Sequence, residues 1–269
     1  MNILDKILSV KQREVASIRE KVPQTVLQEQ TAGMEPCRDF QQVLTRKRPG
    51  RVNVIAEIKR ASPSAGLIRE DFEPAALAQL YASIGADAIS VLTDESFFQG
   101  RLEYLTAVKD AVELPVLRKD FIIDPYQVYE ARAAGADAIL LIAEALTPEA
   151  LTDLLTLAHE LTLGVLLEVH QRDSLTQVVQ RAKADGEGHF LLGINNRNLK
   201  TMQTDLRQSL RLGELIENKR RLVSESGIRT RQDVERLIEA QFNTVLIGET
   251  LMRADNIADK FVELFAPEG

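Results

Sequence analysis

From Val52 onward, eight short apolar runs recur along the 269-residue chain: "VNVIAEI", "ADAISVL", "LPVLRKDFII", "ADAILLI", "GVLLEV", "FLLGIN", "RLVSES" and "NTVLIGE". Segments with helical spacing separate them, among them Pro74 to Ile84, Tyr126 to Ala134, Pro148 to Leu161 and Thr230 to Ala240. Strands alternating with helices build parallel sheet through βαβ units. The words "GADAISVL" and "GADAILLI" nearly repeat, each with a glycine closing a helix and a strand following at once. Eight such units in roughly 200 residues predict an α/β fold, a closed (β/α)8 TIM barrel. An open doubly wound sheet would need a glycine-rich fingerprint after its first strand, and "IKRASPSAG" is not one.

The segment before Val52 lies outside the eight units. Ile3, Leu4, Ile7, Leu8, Val15 and Ile18 recur at helical spacing and predict a helix from Ile3 to Glu20. A second is expected around Phe40 to Leu44, and "RKRPG" (Arg46 to Gly50) reads as a solvated loop. The expectation is one domain over 1–269, with 1–50 as an N-terminal helical extension.

With 45% hydrophobic residues the chain can bury a large core, which excludes a disordered class. A net charge of -7 argues against nucleic-acid and anionic-membrane surfaces. The single cysteine, Cys37, excludes an internal disulfide framework and Cys-based zinc clusters. None of His159, His170 and His189 has metal-ligand spacing to another His or to Cys. The start, "MNILDKILSVKQRE", lacks the apolar core of a signal peptide, and no stretch reaches transmembrane length. A cytoplasmic protein is expected, with no second enzyme after the eighth unit. No motif designates a protein partner or an oligomeric state.

In a barrel strand, residues two apart share a face. Glu57 and Lys59 therefore point the same way, as do Lys119 and Phe121, Glu168 and His170, and Asn195 and Arg197. Each polar group stands at the C-terminal end of its run, the face where this fold keeps its active sites. Two lysines and two carboxylates crowded in one mouth predict shifted pKa values, with a lysine lowered toward neutrality as proton donor and a carboxylate as base. After the last two strands, "SESGI" and "IGETLM" place Gly227 and Gly248 where backbone N–H groups can approach an anion, and a short helix is expected from Glu249.

Taken in order, "IAEIKRASPS", "SVLTDESFFQG", "LRKDFII", "LLEVH", "GINNRNLKT", "VSESGI" and "LIGETLM" resemble the indole-3-glycerol-phosphate synthase family over nearly the whole chain. The resemblance implies closure of an indole ring on 1-(2-carboxyphenylamino)-1-deoxyribulose 5-phosphate with loss of carbon dioxide and water, in tryptophan biosynthesis. It also implies that no metal or organic cofactor takes part. By resemblance, Lys119 is the general acid on the ribulose carbonyl. Lys59 contacts substrate carboxylate or phosphate and donates a proton in the dehydration, for which Glu168 is the base. Glu57 holds substrate hydroxyls and Asn195 orients the chain. Phe98, Phe121, Leu199 and Leu246 match the apolar wall, Arg197 and Ser226 further pocket positions, and Ser62, Gly227, Gly248 and Glu249 with Lys59 the phosphate cradle. His170 is expected to support the site from behind.

Some positions depart from the family pattern. Ala65 stands where Lys is usual, Ser96 and Arg101 where Lys and Ser are usual, and Met202 where Phe is common. None is a proposed proton-transfer residue. Two rivals remain at this stage. A phosphoribosyl isomerase barrel would carry a Cys or Asp on its first strand, where this chain has Glu57 and Lys59. A non-catalytic barrel would bind a phosphorylated metabolite without turnover.

Overall fold

The computed structural model describes residues 2–184, 190–198 and 202–266. Eight parallel strands close on themselves: β1 (Asn53–Ile58), β2 (Ala88–Leu92), β3 (Val116–Lys119), β4 (Ala138–Ile142), β5 (Gly164–Val169), β6 (Leu191–Asn195), β7 (Leu222–Glu225) and β8 (Thr244–Ile247). β1 pairs with β8 on one side, Ile55 opposite Leu246, and with β2 on the other, Ile55 opposite Ala88. All eight expected runs form strands. The expected helices are present too, within a residue or two: α4 (Pro74–Ser83), α7 (Pro125–Ala133), α8 (Pro148–Glu160) and α11 (Arg231–Glu239). No described helix is long and apolar enough to cross a membrane.

Alternation along each strand sorts the core into two clusters. Ile55, Ala88, Leu117, Leu140, Leu166, Leu191, Val223 and Leu246 fill the barrel interior. Their neighbours, such as Val54, Ile89, Val116, Ile139, Val165 and Val245, face the helix layer. Each fully buried Leu or Ile contributes about 2 kcal/mol relative to exposure. The repeated "GADA" word has one structural job in both copies. Its glycine (Gly85, Gly135) takes a positive φ, which only glycine adopts without strain. Its aspartate then accepts a backbone N–H near the start of the preceding strand: Val54 N to Asp87 and Val116 N to Asp137, both at 2.9 Å. Arg48, from the run expected as a solvated loop, folds back onto Asp87 instead.

The segment before β1 covers both ends of the barrel. α3 (Phe40–Leu44), as expected, plugs the N-terminal end. Phe40 and Leu44 join the interior cluster, and the Leu44 carbonyl accepts from Asn53, Asn243 and Thr244 at the strand starts. α1 (Ile3–Lys21) lies at the opposite end, with Leu4 and Ile7 in the same cluster as Phe121. Between them, α2 (Gln24–Thr31) escaped the sequence reading. It has no side-chain cap, and its buried residues are only Leu27 and Thr31; contact with Val15 and Tyr126 holds Leu27 in place.

α1 is fastened by a buried cation. Lys11 Nζ lies 2.9 Å from both Asp94 and Asp120 and 2.8 Å from Glu14. Burial opposes its charge, but Asp120 and Asp94 outweigh burial and raise its pKa above the lysine norm. Asp94 in turn accepts from Phe97 N, and Asp120 accepts from Phe121 N, both at 2.8 Å. The helix is thereby tied to the two loops that carry Phe98 and Phe121. Replacing Lys11 by Met strands two buried carboxylates, a change that costs about 3 kcal/mol. The expected result is a thermal midpoint several degrees lower for Lys11→Met, with most of the loss restored in Lys11→Arg. Equal midpoints for Lys11→Met and wild type would show that the ammonium does not fasten the helix.

Candidate active site

A cavity of about 570 Å3 opens at the C-terminal ends of the strands. It is lined by Glu57, Lys59, Ser62, Phe98, Lys119, Phe121, Glu168, Asn195, Arg197, Ser226, Gly227, Leu246, Gly248 and Glu249. Leu199, the remaining expected member, lies outside the described residues. The reason for the convergence is parity. The inward positions Ile55, Leu117, Leu166 and Leu191 fill the barrel, and the inward positions further along are Glu57, Lys119, Glu168 and Asn195.

Two ionic centres result. On β1, Lys59 Nζ contacts Glu57 Oε1 at 2.5 Å. Across the mouth, Lys119 Nζ sits 3.0 Å from Glu168 Oε2 and 3.2 Å from Glu225 Oε2. All five side chains are largely withdrawn from solvent. Burial alone would lower the Lys119 pKa, but Glu168, Glu225 and Glu57 outweigh it and push it above the ordinary lysine range. This corrects the expectation of a lysine lowered toward neutrality: with carboxyl groups on several sides, attraction wins over desolvation. For Glu57 and Glu168 burial would raise the pKa, yet the lysines hold both carboxyls below the usual range. Glu225 goes the other way. Burial and the neighbouring Glu168 charge raise it well above the ordinary value, so of this coupled pair Glu225 gives up its proton last.

Glu225 was missed in the sequence, where "SESGI" was read for its glycine. The available signal was the one used elsewhere: an acid at an inward position, two residues before Gly227. Its room is provided by Gly193, where a Cβ would stand 2.1 Å from Glu225 Oε1. Gly248 does the same for Glu57, whose Oε1 would lie 2.6 Å from an added Cβ. Gly248 thus has a packing reason that the sequence did not reveal, beside any anion.

The far wall is the expected small-residue corner. Ser226 and Gly227 both have positive φ, and a Cβ on Gly227 would strike Thr204 at 2.5 Å. Gly248 precedes the short helix α12 (Glu249–Met252), which starts where expected. Arg197 ties this corner together, reaching Glu249 at 2.8 Å and the hydroxyl of Ser64. Its backbone N–H donates to Asn195 Oδ1 at 3.0 Å. Met202, Arg229, Arg253 and Lys260 also line the cavity and were not singled out as site members. The Phe98 and Phe121 rings face each other with centroids 6.1 Å apart. Ser62 Oγ accepts from Ala65 N at 3.2 Å, which shapes the Ser-Pro-Ser turn.

The chain is similar to known proteins over nearly its whole length. The family model for indole-3-glycerol phosphate synthase matches residues 4–264. The indole-3-glycerol phosphate synthase of Burkholderia ambifaria (strain MC40-6) is 46% identical over 265 residues, covering 98% of this chain and 99% of that one. That of Rhodopirellula baltica is 48% identical over 257 residues, 96% of each chain. Among solved structures, a 3-hexulose-6-phosphate synthase superposes with a TM-score of 0.61 at 18% identity, covering 79% of this chain and 98% of its own. The N-acetylmannosamine-6-phosphate 2-epimerase of Clostridium perfringens gives 0.60 at 13%, covering 87% and 100%. At such identities these two share the fold.

The raised pKa of Glu225 has a measurable consequence. Unfolded, a glutamate releases its proton near pH 4.5; folded, Glu225 retains it well above that. Between those limits the folded state binds more protons, so this contribution to stability is full below the unfolded pKa and declines as pH rises. Glu225→Gln removes the dependence. Urea titrations at pH 5 and pH 8 should show the variant gaining on wild type at the higher pH. A difference that does not change with pH would contradict the raised pKa of Glu225.

Proposed function

The chain belongs to the indole-3-glycerol phosphate synthase family, and on that premise we propose how the residues at the mouth divide the work of its reaction. The enzyme closes the ring of 1-(2-carboxyphenylamino)-1-deoxyribulose 5-phosphate, releasing carbon dioxide and water, in tryptophan biosynthesis. The single observation that carries the proposal is Lys119. Its ammonium stands between Glu168 and Glu225, facing a cavity closed on the far side by Gly227 and Gly248.

The phosphate binds at the Ser226–Gly227 and Gly248–Glu249 corner, with Ser62 and Lys59 at its edge. The carboxyphenyl ring lies against Phe98, Phe121 and Leu246. Between those anchors the ribulose carbonyl meets Lys119. Attack by the ring carbon places a developing alkoxide there, and Lys119 delivers a proton to it. Substrate entering between Lys119 and Glu168 trades a carboxylate for a neutral oxygen, which lowers the Lys119 pKa at the step that needs an acid. Ring closure breaks the aromaticity, and loss of carbon dioxide restores it without an electron sink. Dehydration follows: Lys59 protonates the departing hydroxyl and Glu168 takes a proton from the ring system. Glu57 keeps Lys59 in place and steadies the charge on the ring nitrogen. Asn195 and Arg197 orient the chain between the two ends.

The same reading treats residues 1–50 as an extension of one barrel domain, because α1 and α3 share the interior cluster. It also assigns the enzyme to the cytoplasm, on its membership of a biosynthetic enzyme family.

A turnover assay that follows indole fluorescence tests the roles. Lys119→Ala should abolish detectable turnover while phosphate binding persists, and a near-normal rate would remove Lys119 from the mechanism. Glu168→Gln should slow dehydration more than ring closure, so that single-turnover traces show an intermediate building up. Traces without such build-up would refute the assigned order.

A further inference from the structure

Beside the site, a second cavity of about 240 Å3 lies at the C-terminal ends of β5 and β6. Glu144, His170, Asn195, Asp205 and Arg211 line it, and Arg211 and Gln171 bring it to solvent. Glu168 faces the first cavity, His170 and Glu144 the second. One chain of contacts joins the two. His170 Nε2 lies 3.2 Å from Glu168 Oε1, and His170 Nδ1 lies 3.2 Å from Glu144 Oε2. Glu144 is fixed in turn, accepting from the backbone N–H of His170 at 2.8 Å and of Gln171 at 3.1 Å. Gln208 Nε2 donates to the His170 carbonyl at 2.6 Å.

The two ring nitrogens are not equivalent. A carboxylate only accepts, so Nδ1, in hydrogen-bonding position on Glu144, carries a proton in the neutral ring. Nε2 is then a buried lone pair 3.2 Å from a carboxylate oxygen, with no hydrogen-bond partner among the described residues. A proton on Glu168 would turn that mismatch into a donor–acceptor pair. The arrangement is complete only after Glu168 has done its work as a base.

We propose that His170 is a positioning and relay residue that carries the proton taken up by Glu168 out of the substrate-filled site to Glu144 and the second cavity. The proposal rests on the reading of Glu168 as the base of the dehydration. The O–H bond of Glu168 breaks, an N–H bond forms at His170 Nε2, and the Nδ1 proton passes to Glu144 or to solvent in the second cavity. No electrons are transferred, and Glu168 returns ionised for the next cycle. The surroundings favour the charged intermediate. Burial opposes the imidazolium, but Glu144 and Glu168 raise its pKa overall, with Lys119 acting against them. Asp205 and Arg211 are the other charged groups on the second cavity.

The test is chemical rescue in single-turnover and steady-state assays with the carboxyphenylamino substrate, after circular dichroism and a thermal midpoint establish folding. His170→Ala should keep ring closure and KM within about twofold and slow regeneration of Glu168, lowering kcat about tenfold, the low end for lost proton transfer. Added imidazole should restore kcat saturably, with efficiency tracking the pKa of substituted imidazoles. His170→Asn, which fills the space without a titratable nitrogen, should be equally slow and unresponsive to imidazole. Rates within twofold of wild type for both variants, or slowing of His170→Ala that imidazole never relieves, would overturn the relay. Glu168→Gln separates the two readings: if it runs at wild-type speed, the base assignment falls and the relay with it. If it is slow while His170→Ala is fast, the relay alone falls.

Discussion

The molecule is organised by the attraction between the Lys119 ammonium and the acids around it. An ammonium taken out of water at the top of a closed barrel is unfavourable unless opposite charge surrounds it. Glu168 and Glu225 lie against it, and Glu57 adds to the field. The acids in turn need space, which Gly193 and Gly248 leave by having no side chain. Remove that central attraction and the apolar layers below have no reason to end in charge.

The carboxyls do not share one state, and their differences give the site its chemistry. Lys119 outweighs the burial of Glu168 and lowers its pKa, whereas burial and the Glu168 charge beside it raise that of Glu225. A stronger and a weaker acid thus stand on either side of one cation. The Glu168 to His170 contact extends this pairing along the rim of the barrel toward Glu144, which lines a second cavity. The extension before β1 belongs to the same design, since Lys11 ties it to Asp94 and Asp120, which position the loops of Phe98 and Phe121.

Much of this was legible before any coordinates. Period-two alternation put Glu57 with Lys59 and Glu168 with His170 on inward faces, and the eight apolar runs required a closed sheet. Glu225 escaped because its run was read for the glycine, although the same parity argument applied to it. α2 escaped because its burial depends on Tyr126, far along the chain. Lys11 looked like any solvent-facing lysine in an amphipathic helix, for its two aspartates lie on distant strand ends.

Strand count, parallel order, inward polar residues and family membership were determined by the sequence alone, because periodicity and local turn chemistry are written in neighbouring residues. The tertiary structure decided the protonation states. Whether Lys119 is lowered by burial or raised by acids depends on how many carboxyls come within about 3 Å, and they come from separate strands. Desolvation and attraction are both large and of opposite sign, so their balance follows from distances that no local pattern encodes.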